Sequence, residues 1–364
     1  MKYKMYDEMM EQPDSLRKTF ECEKSTMDEV SKLIPEKDKV YLIGCGSSIS
    51  TCYSVRDAIR MSSTNIDIEV YTGYEFYYNK KLTINENSIA IFTSQSGETA
   101  DTLASLRKTN EFNIHSVSIS NEPESSMIKE AKTPIITRCE KETAILGTKT
   151  YITQLACLYQ ILFAASNYDG KDTLLKQLIV IPDILEDLLK TTEYDNRLLA
   201  ENFKNEDIFY CLGSGPNFGL AYKLAMTMLM EGAIKHACPE YSAEFRHGLI
   251  ERAEKDVPII FLKSDFESDE ITQKAIEFSE NLKLKSIIYE LKDYVDIEGR
   301  RRPPTCPARR RRRPRPGRRR PRPGPGRPPR RRPRRARRTP RRSHRRSEER
   351  RVGKECRSRW SPYH

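Results

Sequence analysis

Short apolar runs recur along the chain, each closing on small polar residues and giving way to a stretch with helical spacing. "KVYLIGCG" (39–46), "IDIEVYTG" (66–73), "SIAIFTSQS" (88–96), "IHSVSISN" (114–121) and "TPIITR" (133–138) are the first five. Between them, "SISTCYSVRDAIRM", "ETADTLASLRKTNEF" and "SSMIKEA" repeat apolar residues every three or four positions, and "TKTYITQLACLYQILFAA" (148–165) predicts a long apolar helix. Strands alternating with helices in this way predict βαβ units around a parallel sheet. Strands that are apolar throughout fit a sheet covered on both faces.

The pattern restarts after a helical connector near 172–203. "DIFYCLGSG" (207–215) reads as strand and glycine turn, and "PNFGLAYKLAMTMLMEGAIKHA" (216–237) as a long helix. "VPIIFLKS" (257–264) and "KSIIYEL" (285–291) read as strands flanking the helix "DEITQKAIEFSENLK". The expected class is α/β, with two tandem doubly wound parallel sheets. The expected division is a helical segment over 1–34, a first domain over 35–168, a connector over 169–204 and a second domain over 205–299. About three strands are foreseen in the second domain against five in the first, so its C-terminal part is expected to be missing.

Charge separates residues 300–364 from everything before them. That stretch holds 30 Lys+Arg and 3 Asp+Glu, a net of +27, and the preceding 299 residues carry a net of −15. It also holds 29 of the arginines and 13 of the 21 prolines, with no apolar period, which predicts a disordered tail. A natural tail of this kind would neutralise nucleic-acid phosphates. The abrupt change from a lysine-rich body to arginine and proline reads instead as sequence foreign to the body, and it is set aside from fold reasoning. The seven body cysteines form no C-x-x-C pair, no secretory leader opens the chain, and no apolar stretch approaches a membrane span. A reduced, cytoplasmic, soluble protein is expected.

Ligands of parallel α/β sheets sit beyond the carboxyl ends of the strands. "GCGSS" (44–48) and "TSQSGET" (93–99) both lie there, at strand-to-helix turns. A helix start offers unpaired N–H groups and a positive dipole end, hydroxyls add donors without bulk, and glycine lets the backbone come close. The combination is an anion site, most simply one for a phosphate monoester. Helix capping alone would explain one such loop, but less readily two on neighbouring strands. "GCGSSI" lacks the third glycine of a dinucleotide fingerprint, and neither loop carries a P-loop lysine. "GSGPNFG" (213–219) is weaker, since Pro216 at a helix start is ordinary capping chemistry.

With "LGTKTYITQL" (146–155), these strings resemble the sugar isomerase (SIS) domain family, most nearly the isomerase half of glutamine–fructose-6-phosphate aminotransferase. The resemblance implies phosphate binding by Gly46, Ser47, Ser48, Ser94, Gln95, Ser96 and Thr99, with backbone around Ile145 and Gly147 lining the sugar. The 38 residues before the first strand are expected to be too few for a glutaminase domain. "LMEGAIKHACPEYSAEFRHG" (229–248) is similar to the fructosamine-6-phosphate deglycase branch. By that resemblance Glu231 and His247, sixteen positions apart, are catalytic, and the histidine reaches in from a partner subunit of a homodimer. Met228 stands where the aminotransferase has a lysine, which favours the deglycase branch, whereas the "SQSGET" loop is closer to the aminotransferase.

The chemistry of the residues agrees with the resemblance. Moving a proton between C1 and C2 of a ketosamine needs a base, and a carboxylate closing an apolar helix suits that task. A histidine suits ring opening of a cyclic sugar. Each has a plain alternative: Glu231 as a solvated helix residue, His247 as a turn residue, His236 in a structural role, and Glu244 with Arg246 as an ion pair. No metal or organic cofactor is implied, because His, Cys and Asp nowhere show ligand spacing. The expected activity is cleavage of a fructosamine 6-phosphate to hexose 6-phosphate and free amine. An amino-sugar phosphate isomerase or deaminase, and a non-catalytic sugar-phosphate sensor, are the alternatives.

Overall fold

The computed structural model describes residues 3–79, 85–266 and 269–295. The tail from 300 onward and the ending of the second domain lie outside the described residues. Two N-terminal helices, α1 (Lys4–Met10) and α2 (Gln12–Leu33), precede a five-stranded sheet. Its strands are β1 (Lys39–Gly44), β2 (Ile68–Tyr71), β3 (Ser88–Ser94), β4 (His115–Ser120) and β5 (Thr133–Ile136). They are all parallel, in the order β2-β1-β3-β4-β5.

The two-residue period of the strands sorts their side chains between two layers. Val40, Leu42, Ile89, Ile91, Val117, Ile119 and Ile135 point to one face. There α2, α3 (Ser47–Ser62) and α7 (Lys149–Ala165) cover them with Val30, Val55, Ile59, Leu158 and Leu162. Tyr41, Ile43, Ala90 and Phe92 point the other way, under α4 (Gly73–Tyr78), α5 (Ala100–Glu111) and α6 (Ser126–Glu130). Central β3 is buried at every position, as its uninterrupted apolar sequence foretells. Burying each large side chain of this kind contributes about 1.5–3 kcal/mol.

The connector is one helix, α8 (Lys171–Phe203), and a second parallel sheet follows it. Its strands are β6 (Ile208–Gly213), β7 (His236–Tyr241), β8 (Ile259–Lys263) and β9 (Ser286–Glu290), ordered β7-β6-β8-β9. Phe209, Cys211, Ile260, Leu262 and Ile287 face α8 and α9 (Pro216–Tyr222). Leu212, Ile259 and Phe261 face α10 (Glu270–Leu282) and a pair of 3₁₀ turns at 242–251.

Two expectations for this region need correction. The described second sheet has four strands, not three, because "HACPEY" is strand β7 and not the end of a helix. Pro239 and the absence of β-branched residues hide the strand, and its place at the sheet edge is what tolerates the proline. The long helix foreseen over 216–237 is α-helical only to Tyr222. A π-helical segment, Lys223–Gly232, continues it, with Ala233 N–H bonding to Met228 O at 3.0 Å. Among the described residues no helix is long and apolar enough to cross a membrane.

The two domains meet along α3 and α9. Ser54 Oγ donates to Pro216 O at 2.7 Å, and Arg56 and Asp57 of α3 both bond to the Tyr241 hydroxyl, Asp57 accepting at 2.8 Å. Tyr241 also stacks on Phe218, with ring centroids 3.6 Å apart. These contacts hold α9 and the end of β7 against the first domain.

Candidate functional site

The tops of β1 and β3 open into a cavity of about 170 Å3 lined by Ser47, Ser48, Ser94, Gln95, Ser96 and Thr99, together with Cys45 and Thr93. Two helix N-termini converge on it, that of α3 at Ser47 and that of α5 after Thr99. Unpaired N–H groups and the positive ends of both helix dipoles therefore face the same small space. Among the described residues no lysine or arginine lines it, and these residues offer an anion hydroxyls and backbone dipoles.

The loop after β3 is shaped from within. Gly97 has φ +63°, and a Cβ there would stand 2.2 Å from Ser125 Oγ, so no other residue fits without rearrangement. Its N–H donates to Ser94 Oγ at 3.1 Å, and Ser94 Oγ lies 3.1 Å from Thr99 Oγ1. Glu98 N–H donates to Ser96 Oγ at 3.2 Å. Asn121 N–H and Ser120 Oγ both donate to Gln95 O at 3.2 Å, which ties the loop to the end of β4. Gly46, also at positive φ, makes the turn into α3 and does not itself line the cavity.

Cys45 and Thr93 are functional-site neighbours that the sequence reading left out. Cys45 lines the cavity, and its thiol donates to Asp101 Oδ2 at 3.0 Å. Burial, then the Asp101 carboxylate, pushes its pKa up, so it meets an anion as a neutral thiol.

The segment 142–150 lies beside this cavity, Gly147 adjoining Gln95. Glu142 is buried and its carboxylate gathers the start of α7. It accepts from Thr148 Oγ1 at 2.9 Å, Lys149 N–H at 2.8 Å and Thr150 Oγ1 at 2.5 Å. The N-terminal helices brace the same segment from outside. Glu8 accepts from Thr143 N–H at 2.5 Å and Ala144 N–H at 3.1 Å, Gln12 donates to Thr148 O at 3.0 Å, and Glu11 pairs with buried Lys149 at 2.6 Å. Ile145 is 89% exposed and lines neither cavity. Gly147 is buried; a Cβ on it would lie 3.2 Å from Gln95 Oε1, which places it directly beside the hydroxyl-lined cavity.

The second domain reaches this stretch through its π-helical segment. A Cβ on Gly232 would stand 2.3 Å from Leu146 Cδ1, so Glu231 lies next to the 146–147 stretch. Lys223, 4% exposed, donates from Nζ to Gly147 O at 2.8 Å and sits 4.9 Å from the centre of the Tyr151 ring. Burial pushes its pKa down to about 8, against the opposing pull of Glu142 and Glu231. A second cavity of about 480 Å3 begins at Gly147 and Thr148 and runs past Lys223 and Met228 to Leu262 and Tyr289.

The apolar setting foreseen for Glu231 is not supplied by this single chain, where the residue is exposed. His247 is exposed on the 3₁₀ turn that follows β7, where it accepts from Arg246 Nε at 3.0 Å. The described contacts within one chain do not join it to Glu231 or to the cavity. His236 opens β7, its N–H bonded to Asp207 O at 2.9 Å.

Residues 32–164 match the SIS domain family. Glutamine–fructose-6-phosphate aminotransferase [isomerizing] of Clostridium perfringens is 29% identical over 283 residues, which are 71% of this chain and 44% of that protein. The chain thus spans less than half the length of the curated relatives it matches. Among solved structures, the C-terminal domain of glucosamine-fructose-6-phosphate aminotransferase from Francisella tularensis superposes with a TM-score of 0.70 at 23% identity, over 82% of this chain and 87% of that one. Glucosamine-6-phosphate deaminase from Thermotoga maritima gives 0.62 at 22% identity, over 79% and 84%. Residues 32–164 are thus similar to the SIS domain family, and most of the chain is similar to a part of the glutamine–fructose-6-phosphate aminotransferases.

Proposed function

We propose that the protein binds a phosphorylated sugar derivative and cleaves a fructosamine 6-phosphate to hexose 6-phosphate and a free amine. The observation that carries this reading is the meeting of a hydroxyl-lined cavity at two helix N-termini with the Glu231 segment of the other domain, across the 146–147 stretch. The phosphate occupies the cavity and the open-chain sugar passes Gly147 toward Glu231. Glu231 moves the proton between C1 and C2. A second copy of the chain brings its own His247 to the sugar ring, which the exposed position of that turn permits. Met228, where a lysine would suit ammonia transfer, leans toward the deglycase chemistry. The reaction belongs in the cytoplasm, where the seven unpaired body cysteines stay reduced.

A second reading is an amino-sugar phosphate isomerase or deaminase, favoured by the likeness to the aminotransferases over most of the chain. The two separate in one assay. The full chain is offered a panel of phosphorylated Amadori compounds and, in parallel, glucosamine 6-phosphate. Release of hexose 6-phosphate from the panel is the expected result. Ammonia release from glucosamine 6-phosphate alone moves the assignment to the second reading, and binding with no turnover of either leaves a sensor.

A further inference from the structure

Buried charges ordinarily have partners of opposite sign. Lys149 of the first domain follows this pattern, paired with Glu11 at 2.6 Å. Lys223 does not. Among the described residues no carboxylate lies within ion-pair distance of its ammonium, which gives one proton to Gly147 O and rests against the Tyr151 ring. A fully protonated lysine has three donors, so a single carbonyl leaves capacity for another acceptor. The ammonium lines the larger cavity at the end where Gly147 separates it from Gln95 of the hydroxyl cavity. A single residue thus stands between the place for a phosphate and this cation.

We propose that Lys223 is the residue that holds the carbonyl oxygen of the open-chain substrate and steadies the negative charge that oxygen gains as the adjacent carbon loses its proton. The proposal rests on the sugar-phosphate reading above and adds a group to it. In a ketosamine, the base removes a proton from C1, and the C1–H electron pair becomes the C1–C2 double bond. The C2–O π pair moves onto oxygen, facing the Lys223 ammonium, which donates to it. Reprotonation at C2 leaves an imine at C1, and water adds there to release the amine and an aldose phosphate. Fixed donors aimed at such developing charge commonly contribute about 100-fold or more in rate. The amine, pushed down toward neutrality by burial, gives up its proton more readily than a surface lysine would. The π-helical segment that begins at Lys223 re-spaces this helix, a distortion often found at working sites.

The test compares two ligands on one protein. Glucitol 6-phosphate has the phosphate and chain but no carbonyl; 5-phosphoarabinonate carries a carboxylate where the reaction places its oxyanion. The full chain is expected to bind the acid more tightly than the alditol, and Lys223→Met to lose that preference by about ten-fold or more while binding the alditol as before. kcat for the Amadori phosphate should fall about 100-fold, with KM changing little. Equal weakening of both ligands would overturn the proposal and leave Lys223 as a brace for Gly147. An unchanged preference would overturn it outright. Because the preference is a ratio on the same molecules, partial unfolding of the variant does not alter it. If the unaltered chain binds neither ligand, the sugar-phosphate reading itself is at fault, and this proposal goes with it.

Discussion

The two sheets are built on one plan, yet the groups set around them differ in kind. The first presents hydroxyls, amides and helix dipoles, and among the described residues lining its small cavity none is charged, Asp101 standing behind the Cys45 thiol. The second contributes ionisable groups: Lys223 and Glu231 on a π-helical segment and His247 on an exposed turn. The first is rigidly cross-braced; the second presents its groups on irregular backbone. Under the proposed function the difference divides the labour. Recognition of a fixed dianion suits preorganised dipoles, and proton movement suits side chains whose charge can change.

The sharpest way to break this comparison is Glu231→Gln. Turnover of the Amadori phosphate should fall by about 10²–10⁴, with the affinity for hexose 6-phosphate measured calorimetrically staying within two-fold or so. Retained turnover would remove the second domain's chemical role. Next in size is Glu142→Gln, which leaves the N–H groups and hydroxyls at the start of α7 facing a weaker acceptor. A loss of roughly 2–4 kcal/mol in unfolding free energy is expected, read from denaturant titration, together with weakened sugar binding. Ser94→Ala tests the first domain directly. Removing a hydroxyl that takes the Gly97 N–H and meets Thr99 should weaken hexose 6-phosphate binding about ten-fold. With no lysine or arginine among the described residues lining the cavity, the remaining affinity should vary only mildly with salt.

The smallest effect concerns pH. The Lys223 pKa lies at about 8 in the folded chain and at an ordinary 10.5 when unfolded. Between those values the unfolded chain binds more protons, so this group makes the protein more stable as pH rises through the window. Glu142 and Glu231 oppose the shift and the Tyr151 ring packs beside it, so all three belong to the same balance. The stability difference between the unaltered chain and Lys223→Met should therefore change in that direction between pH 8 and 10.5, by chemical denaturation. A flat difference would mean that the ammonium is better solvated than its burial indicates.

The parts of this arrangement legible in the sequence are those encoded within a few neighbouring residues. Apolar runs closed by "GCGSS" and "SQSGET" announce strand, turn and helix start together. β7 was hidden because Cys238 and Pro239 carry no strand signature, and its pairing with β6 is a tertiary fact. Lys223 carries no signal of its own in the sequence, since nothing nearby reveals that Gly147 and Tyr151 close over it. Glu8 and Thr143 are 135 positions apart, and no local period can announce such a bond. The π-helical segment is likewise invisible to a pattern tuned to 3.6 residues per turn.

The bonds from Glu8, Glu11 and Gln12 to the 143–149 segment have a practical corollary. The first dozen residues act as a latch on that segment, although they sit outside both sheets. Clipping them by a protease, or pulling on them through a fused affinity handle, would slacken the 143–149 segment while leaving each sheet folded.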